Sequence, residues 1–325
     1  MIAKSAVQTQ QGLTTDSGRN ARVAILLSTY NGASFLREQL DSLISQTHRD
    51  WVIFASDDGS CDATLTILSE YQLKLGQDRL AIFPGPRKGF SANFLSLLKR
   101  PELVADYYAY CDQDDVWNTH KLEYALQWLA SSSPATPALF CSRTRLVDES
   151  GIPIGFSPLF RRPPSFRNAL VQSIAGGNTM VMNRAAKELL AKTPPNTIIV
   201  SHDWWAYLLV TGCGGTVYYE GTPQVDYRQH GRNLMGSNTR LRDRFARMNK
   251  MFNGTFKAWN SANIEALMSL QSELTPSSLS SLIAFRNARG TSFISRIVGL
   301  RRAGVHRQSK IEDIALTAAM LINRV

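Results

Sequence analysis

Residues 107–115 read YYAYCDQDD, an apolar run that passes directly into three carboxylates within four residues. The run Tyr107–Cys111 is predicted to be a buried strand, so the acidic segment lies at its carboxyl end. Neighbouring carboxylates repel one another and cost free energy unless a positive charge holds them together. Mg²⁺ and Mn²⁺ suit such hard oxygen ligands and commonly bind one or two carboxylates plus substrate phosphates. A solvated acidic loop that caps a helix is the alternative interpretation.

Two further polar segments follow predicted strands nearer the start of the chain. Val23–Leu27 and Trp51–Ala55 read as buried strands, and they lead into STYNG at residues 28–32 and SDDGS at residues 56–60. A carboxylate here can accept hydrogen bonds from a base N–H or a ribose hydroxyl, and a tyrosine can stack on a base. Both segments are also explained as ordinary turns, in which Asp, Gly and Ser are common.

The first half of the chain alternates short apolar runs with amphipathic runs, as β-α-β units of a mainly parallel sheet do. Helices are predicted at about residues 33–45, 62–75, 93–99 and 119–130, and a further strand at residues 80–83. The three polar segments follow the first, second and fourth strands, where open α/β sheets bind ligands. We therefore predict an α/β fold in which helices flank a mainly parallel sheet.

The pattern loosens after Pro134. Strands are predicted at about residues 138–141, 215–219 and 225–228, and helices at about residues 184–192 and 201–210. The chain reads as basic helices from about residue 237 onward. We predict three parts: a flexible leader over residues 1–20, an α/β domain over residues 21–236 and a mostly helical C-terminal segment over residues 237–325.

The composition is that of a folded globular chain, with 44% hydrophobic and 19% charged residues. No run of about 18 apolar residues occurs, so no membrane-spanning helix is predicted. The four cysteines show no spacing typical of a zinc site. The first twenty residues lack the apolar centre of a secretion signal, so we expect a cytoplasmic chain. The net charge is +10, and residues 239–325 hold 14 Lys or Arg against 5 Asp or Glu.

Taken together, STYNG, DDGS and DQDD resemble the family 2 glycosyltransferases of the GT-A fold, in order, spacing and strand context. The resemblance covers about residues 21–235. It implies a metal-dependent, inverting enzyme that moves a sugar from a nucleotide diphosphate to an acceptor hydroxyl. It implies nucleotide contacts from Ser28, Tyr30, Asp58 and Asp112. Asp112 and Asp114 would hold Mg²⁺ or Mn²⁺, and the sequence leaves open whether Asp115 takes the place of Asp112.

Two segments in the second half resemble parts of the same enzymes that handle the sugars. Residues 176–180, GGNTM, are similar to an acceptor-side glycine turn, which places Gly177 and Asn178 near a sugar. Residues 202–205, HDWW, look like the segment that supplies the catalytic base. Asp203 is the predicted base, because an inverting transfer needs a carboxylate to take the proton from the incoming hydroxyl. Trp204 and Trp205 offer faces for sugar stacking, although paired tryptophans on a helix are also typical of a core.

Residues 227–233, YRQHGRN, close the predicted α/β domain. The resemblance implies that His230 is a third metal ligand and that Arg228 and Arg232 contact the diphosphate. A surface histidine without a ligand is the alternative. Residues 87–90, RKGF, are a further candidate for a loop beside the phosphates.

The segments HDWW, GGNT and YRQHGRN look most like those of bacterial rhamnosyltransferases that build cell-surface polysaccharides. That likeness implies dTDP-L-rhamnose as the donor and a lipid-linked saccharide as the acceptor, with a UDP-hexose as the alternative donor. The basic, partly apolar residues 285–302 predict peripheral contact with an anionic membrane, or else a helical appendage packed on the domain. A nucleic-acid-binding protein is disfavoured because no recognition motif occurs. The acidic segment and Asp203 disfavour a non-catalytic carbohydrate-binding protein.

Overall fold

The structure is a computed structural model that describes residues 21–231, 254–290 and 292–325. The predicted leader, the boundary near residue 236 and Arg232 lie outside the described residues. In the described ranges the fold is mixed α/β, as predicted from the alternation of strands and helices. No helix in these ranges is long and apolar enough to cross a membrane.

One sheet of nine strands organises the described chain. The strands are β1 (Val23–Thr29), β2 (Trp51–Asp57), β3 (Leu80–Pro84), β4 (Tyr107–Cys111), β5 (Val116–Trp117), β6 (Ala138–Val147), β7 (Pro153–Phe156), β8 (Val181–Asn183) and β9 (Thr216–Arg228). Their order is β3-β2-β1-β4-β8-β6-β9-β5, and β7 pairs with β6. The first four strands are parallel, whereas β8 runs antiparallel to both of its neighbours. The parallel half therefore presents four carboxyl ends along one edge.

Helices cover both faces of this sheet. They are α1 (Leu36–Ile44), α2 (Thr64–Leu75), α3 (Phe90–Leu98), α4 (Lys121–Leu129), α5 (Phe166–Ala169), α6 (Arg184–Ala191), α7 (His202–Gly212), α8 (Thr255–Met268), α9 (Pro276–Ala288), α10 (Phe293–Ala303) and α11 (Lys310–Leu321). Strand β1 shows why both faces need cover, because its side chains alternate between two hydrophobic clusters. Ala24 and Leu26 pack with α3, α6 and α7, while Ile25 and Leu27 pack with α1, α2 and α4. A strand buried on both faces has the continuous apolar sequence that β1 has.

Strand β9 differs from the prediction of two separate strands. It runs without a break from Thr216 to Arg228 and pairs in parallel with β6 on both sides of residues 221–224. The register shifts between Ser142 and Thr144 of β6, and this irregularity accommodates the turn-like residues Gly221 and Pro223. The residues between the two predicted strands therefore form a bulge inside one continuous strand.

The C-terminal helices pack against the α/β domain. The indole of Trp204 on α7 stacks on Phe256 of α8 and meets Trp259 edge to face, with centroids 6.5 and 6.4 Å apart. Leu282 and Phe285 of α9 are completely buried in the hydrophobic cluster that also contains α3 and α7. The sheet and the described C-terminal helices therefore share one core.

Candidate active site

The ends of β1, β2 and β4 bring the three predicted polar segments side by side. Ser28 pairs with Ser56 in the β1–β2 ladder, and Leu27 pairs with Cys111 in the β1–β4 ladder. The segments STYNG, SDDGS and DQDD therefore leave the sheet at one edge. This arrangement follows from the parallel pairing, because parallel strands end on the same side.

Asp57, the first acid of SDDGS, stabilises the turn. One carboxylate oxygen accepts hydrogen bonds from the backbone N–H groups of Gly59 and Ser60, at 3.1 and 2.8 Å. The other accepts from the hydroxyls of Thr29 and Ser60, at 2.9 and 2.5 Å. All four bonds are internal to the protein, so Asp57 shapes the loop that presents its neighbour.

Asp58, predicted to bind the base, holds the loop that precedes α3. Its two oxygens accept from the backbone N–H groups of Arg87 and Gly89, at 2.6 and 2.7 Å. Each carboxylate oxygen can accept a second hydrogen bond. The contact between Asp58 and a base remains a prediction that uses this remaining capacity, and the RKGF loop lies directly beside the site.

Asn93 joins the ends of β1 and β2 beneath the predicted nucleotide site. Its Nδ2 donates to Ser28 Oγ and to the Ser56 carbonyl, both at 2.8 Å. Its Oδ1 accepts from the Ser56 hydroxyl at 2.6 Å. Asn93 is completely buried, so it orients Ser28 from below. Tyr30 is 57% exposed, which leaves its ring accessible for stacking on a base.

The third acid of DQDD, Asp115, is enclosed within the protein. It is completely buried, and its oxygens accept from Asn178 Nδ2 at 2.6 Å and from the Arg228 backbone N–H at 3.2 Å. Burial and the charges of Asp114 and Asp112 raise its pKa well above the usual range. This geometry favours Asp112 over Asp115 as the partner of Asp114.

Lys121 lies beneath the acidic segment and was not singled out from the sequence. Its side chain is completely buried, and Nζ donates to the Asn178 carbonyl at 2.7 Å. Burial lowers its pKa, while the charges of Cys111, Asp115 and Asp112 oppose that shift. The sequence does contain a signal, because Lys121 lies four residues before Ala125 on the apolar stripe of α4.

Asp112 shares its surroundings with two other carboxylates. Burial, followed by the negative charges of Asp114 and Asp203, raises the pKa of Asp112 to about 8. Asp203 acts on Asp112 although 91 positions separate the two residues in the sequence. The edge-to-face contact of His202 with Tyr110, at 4.8 Å between ring centroids, places the N-terminal turn of α7 beside β4 and the acidic segment that follows it. A divalent cation at this point would favour the ionised form of all three acids.

Asp114 and His230 come together from distant parts of the chain. His230 Nε2 lies 2.8 Å from Asp114 Oδ2, and the imidazole stacks on the ring of Phe35 with centroids 5.0 Å apart. A carboxylate oxygen and an imidazole nitrogen suit Mn²⁺, and diphosphate oxygens commonly complete such a site. Across residues 21–231, 254–290 and 292–325, no group of three His, Cys, Asp or Glu forms a complete metal site by itself. Asp114 and His230 bring one carboxylate oxygen and one imidazole nitrogen together, a pair that fits a cation whose remaining ligands come from a bound diphosphate.

Asp203 lies in the first turn of α7. Its Oδ1 accepts from the backbone N–H of Trp204 at 2.6 Å. The positive end of the helix dipole stabilises a carboxylate at this position.

His202 forms an aromatic packing unit that the sequence did not reveal. Its ring stacks on Phe94 with centroids 3.9 Å apart and meets Tyr110 edge to face at 4.8 Å. Burial lowers its pKa to about 4, so the imidazole is neutral near pH 7. A Cβ at Gly177 would lie 2.1 Å from His202 Nε2, so the glycine is needed for this packing.

Three side chains predicted to contact a sugar are buried in the structure. Trp204 and Trp205 are only 4% and 0% exposed, and their indole N–H groups donate to the Ala169 carbonyl and the Thr193 hydroxyl. The prediction that they stack on a sugar is wrong, because their faces lie in the core. Asn178 is 3% exposed, so it supports Asp115 from within the protein.

The predicted diphosphate contact of Arg228 is also wrong. Its side chain is buried, and the guanidinium donates to the carbonyls of Asp114 and Glu149 and to the carboxylate of Glu38. It also lies over the ring of Phe35, 4.7 Å from the centroid. Arg228 therefore supports the acidic segment from behind.

Carboxylates converge at the carboxyl ends of β1, β2 and β4. This arrangement is typical of α/β enzymes, which bind their ligands at the carboxyl ends of parallel strands. Residues 24–190 match the sequence profile described as Glycosyl transferase family 2, and the chain belongs to that family. It is a glycosyltransferase with the GT-A fold.

The chain is 29% identical over 245 residues to the dTDP-rhamnosyl transferase RfbG of Shigella flexneri, which covers 71% of this chain and 81% of RfbG. It is 25% identical over 208 residues to the putative teichuronic acid biosynthesis glycosyltransferase TuaG of Bacillus subtilis, covering 63% and 78% of the two chains. The fold is similar to that of the mannosyltransferase PcManGT from Pyrobaculum calidifontis, solved with GDP-Man and Mn²⁺. That match has a TM-score of 0.50 at 16% identity and covers 94% of this chain and 86% of PcManGT.

Proposed function

We propose that this glycosyltransferase transfers L-rhamnose from dTDP-L-rhamnose, with inversion, to a hydroxyl of a lipid-linked cell-surface saccharide. The observation that carries the reaction type is the edge-to-face contact of His202 with Tyr110, ring centroids 4.8 Å apart, because it holds Asp203 at the start of α7 beside the strand that leads into the acidic segment. The choice of donor is supported by the similarity to RfbG, named a dTDP-rhamnosyl transferase. The setting in cell-surface polysaccharide synthesis is supported by the similarity to TuaG.

In this proposal the nucleoside binds at the ends of β1 and β2. The exposed ring of Tyr30 stacks on the base, and Ser28, oriented by Asn93, meets polar atoms of the nucleotide. Asp58 accepts a hydrogen bond from the base, and Asp112 accepts one from the ribose or binds the cation. The turn that contains Gly177 is proposed to face the sugars through its exposed end at Gly176, because Gly177 itself is buried.

Asp114 and His230, with Asp112, would hold Mg²⁺ or Mn²⁺ in the proposed enzyme. When bound, the cation neutralises the charge that develops on the departing diphosphate. The close approach of Asp114 and His230 supports this assignment, as does the Mn²⁺ in the PcManGT structure. Arg228 contributes by orienting the backbone of the acidic segment.

Asp203 is the proposed general base. The acceptor oxygen forms a bond to the anomeric carbon while the bond from that carbon to the diphosphate oxygen breaks. The proton of the acceptor hydroxyl passes to the Asp203 carboxylate. His202 is neutral and packed against aromatic rings, so it holds the start of α7 in place without competing for that proton.

Helix α10, which carries three arginines, and the neighbouring helix α11 supply the proposed membrane contact. Ile294 and Val298 lie on the exposed face of α10, next to Arg301 one turn further on. Ile311 and Ile314 of α11 are 74% and 71% exposed. An outward face of a helix is normally polar, so exposed apolar side chains beside arginines fit an anionic lipid surface. Such a contact would hold the active site near a lipid-linked acceptor.

Donor binding and turnover test the proposed function. The purified protein of residues 1–325 is titrated with dTDP-L-rhamnose, a UDP-hexose and GDP-mannose, with Mn²⁺ or with EDTA. The expected result is a metal-dependent rise in melting temperature and slow metal-dependent donor hydrolysis, both largest with dTDP-L-rhamnose. A larger response to the UDP-hexose would change the proposed donor sugar but leave the proposed reaction type unchanged. The absence of a melting-temperature shift with all three donors would contradict the proposal.

A further inference from the structure

The side-chain amide of Gln113 joins two of the three polar segments. Its Oε1 accepts from the Tyr30 backbone N–H at 2.8 Å, and its Nε2 donates to the Tyr30 carbonyl at 3.0 Å. The two residues are 83 positions apart. The β1–β4 ladder ends at the pair Leu27–Cys111, so this two-point contact continues the link between the segments beyond the sheet.

Gly32 makes room for this contact. A Cβ at Gly32 would lie 2.1 Å from Gln113 Oε1 and 2.4 Å from Gln113 Cδ. Any larger residue at position 32 would therefore displace the amide. The glycine of STYNG and the glutamine of DQDD form one structural unit.

Each segment is also anchored independently of Gln113. In STYNG, the Asn31 N–H donates to the Ser60 hydroxyl and the Gly32 N–H to the Thr64 hydroxyl, both at 2.8 Å. In DQDD, Asp115 accepts from Asn178. Loss of the Gln113 amide should therefore leave both segments folded and remove mainly the connection between them.

From this arrangement we propose that Gln113 is a positioning residue that couples cation binding to nucleoside binding. The inference rests on the proposed function, in which Tyr30 meets the base and the acids on either side of Gln113 hold the cation. Fixing the peptide of residues 112–114 to the backbone of Tyr30 sets the distance between these two subsites. A nucleotide that reaches both then binds with less reorganisation of the protein. Cation and nucleotide therefore strengthen each other's binding, and by linkage the effect is reciprocal.

Calorimetric titration of the full chain tests this coupling. Binding of dTDP, and of UDP as a second probe, is measured with Mn²⁺ and with EDTA, and the ratio of the two dissociation constants is the coupling factor. Gln113→Met keeps the side-chain length but removes both hydrogen-bonding groups. We expect it to lower the coupling factor about tenfold, within the usual range of coupling between sites. Gln271→Met makes the same chemical change on the exposed C-terminal surface and should leave the factor unchanged.

Gly32→Ala provides an independent variant, because its Cβ displaces the same amide. It should lower the coupling factor to a similar extent, and the double variant should lose little more than either single variant. Melting temperatures without ligand show whether each variant is folded. Metal-dependent binding in the wild type, with an unchanged coupling factor in folded Gln113→Met, would overturn this inference alone. A wild type that binds neither nucleotide in a metal-dependent way would overturn both this inference and the proposed function.

Discussion

At the residue scale, hydrogen-bond partners separate acids that look equivalent in the sequence. Asp57 and Asp58 are adjacent, yet Asp57 closes its own turn while Asp58 holds the loop at Arg87. Asp114 and Asp115 are also adjacent, but one meets His230 at the site and the other is buried. Asp57 accepts two hydrogen bonds at each oxygen and Asp115 is completely buried, so both have little capacity left for a ligand. Asp58 accepts only one at each oxygen.

Asp203→Asn tests the proposed base. The amide cannot accept the proton, so transfer should fall by about 10²–10⁴-fold, the usual contribution of a general base. Donor binding should change little, because the proposed nucleotide contacts lie on β1, β2 and β4. The checks are the turnover rate and the melting-temperature shift with donor and Mn²⁺. Asp78→Asn, the same change at an exposed position, should transfer at the wild-type rate. Loss of donor binding together with turnover would argue against the role of base.

His202 predicts a pH dependence of stability. Its pKa falls from a usual 6.5 to about 4 in the folded protein, so only the unfolded chain binds a proton between these values. The free energy of unfolding should therefore fall as the pH drops from about 6.5 towards 4. Between pH 7 and pH 5 this residue should account for about 2 kcal/mol of the loss. In urea unfolding, the free energy of unfolding of His202→Gln should fall between pH 7 and pH 5 by about that much less than that of the wild type. An equal loss in both proteins would contradict the assignment.

At the element scale, one helix, one strand and one turn position the site. Helix α7 brings Asp203 towards the acidic segment because its other faces are buried in the core. Strand β9 is long enough to carry Arg228 and His230 back to the end of β4. The 3₁₀ turn Gly177–Thr179 packs between them and supports both Asp115 and His202.

Gly177→Ala tests the contact between this turn and α7. The new Cβ would overlap His202, which Phe94 and Tyr110 hold in place. Overpacking of this kind should lower the free energy of unfolding by about 1–3 kcal/mol. It should also slow transfer, because Asp203 follows His202. Gly231→Ala, whose Cβ would meet nothing within 4 Å, is the matched control in urea unfolding. If Gly177→Ala had the same free energy of unfolding as the wild type, the turn would be shown to accommodate the added Cβ, and the prediction would be wrong.

At the scale of the whole molecule, the C-terminal helices combine two surfaces. One side enters the common core through Phe256 and Phe285, so this segment is an integral part of the described fold. The other side exposes Ile294 on the arginine-bearing helix α10, and Ile311 and Ile314 on α11. A segment that is fixed to the domain on one side can hold the active site at a defined distance from a surface on the other.

Vesicle flotation tests that outer surface. The full chain should float with vesicles that contain an anionic phospholipid, and added salt should weaken this binding. Ile311→Glu combined with Ile314→Glu places charge on the exposed face of α11 and should abolish flotation. Leu73→Glu changes an 88% exposed leucine on α2 and should have no effect. Equal flotation of all three proteins, or none by the wild type at low salt, would contradict the proposed membrane contact.

The sequence by itself determined the alternation of strands and helices, because hydrophobic periodicity records local burial. It also placed STYNG, DDGS and DQDD at strand ends, and parallel pairing then brought them together. Tertiary structure alone decided which polar residues stay accessible. Arg228, Trp204 and Trp205 look like ligand contacts in the sequence but lie inside the protein. Partners such as Asp114 and His230, 116 positions apart, meet only through the order of strands in the sheet, which local patterns do not encode.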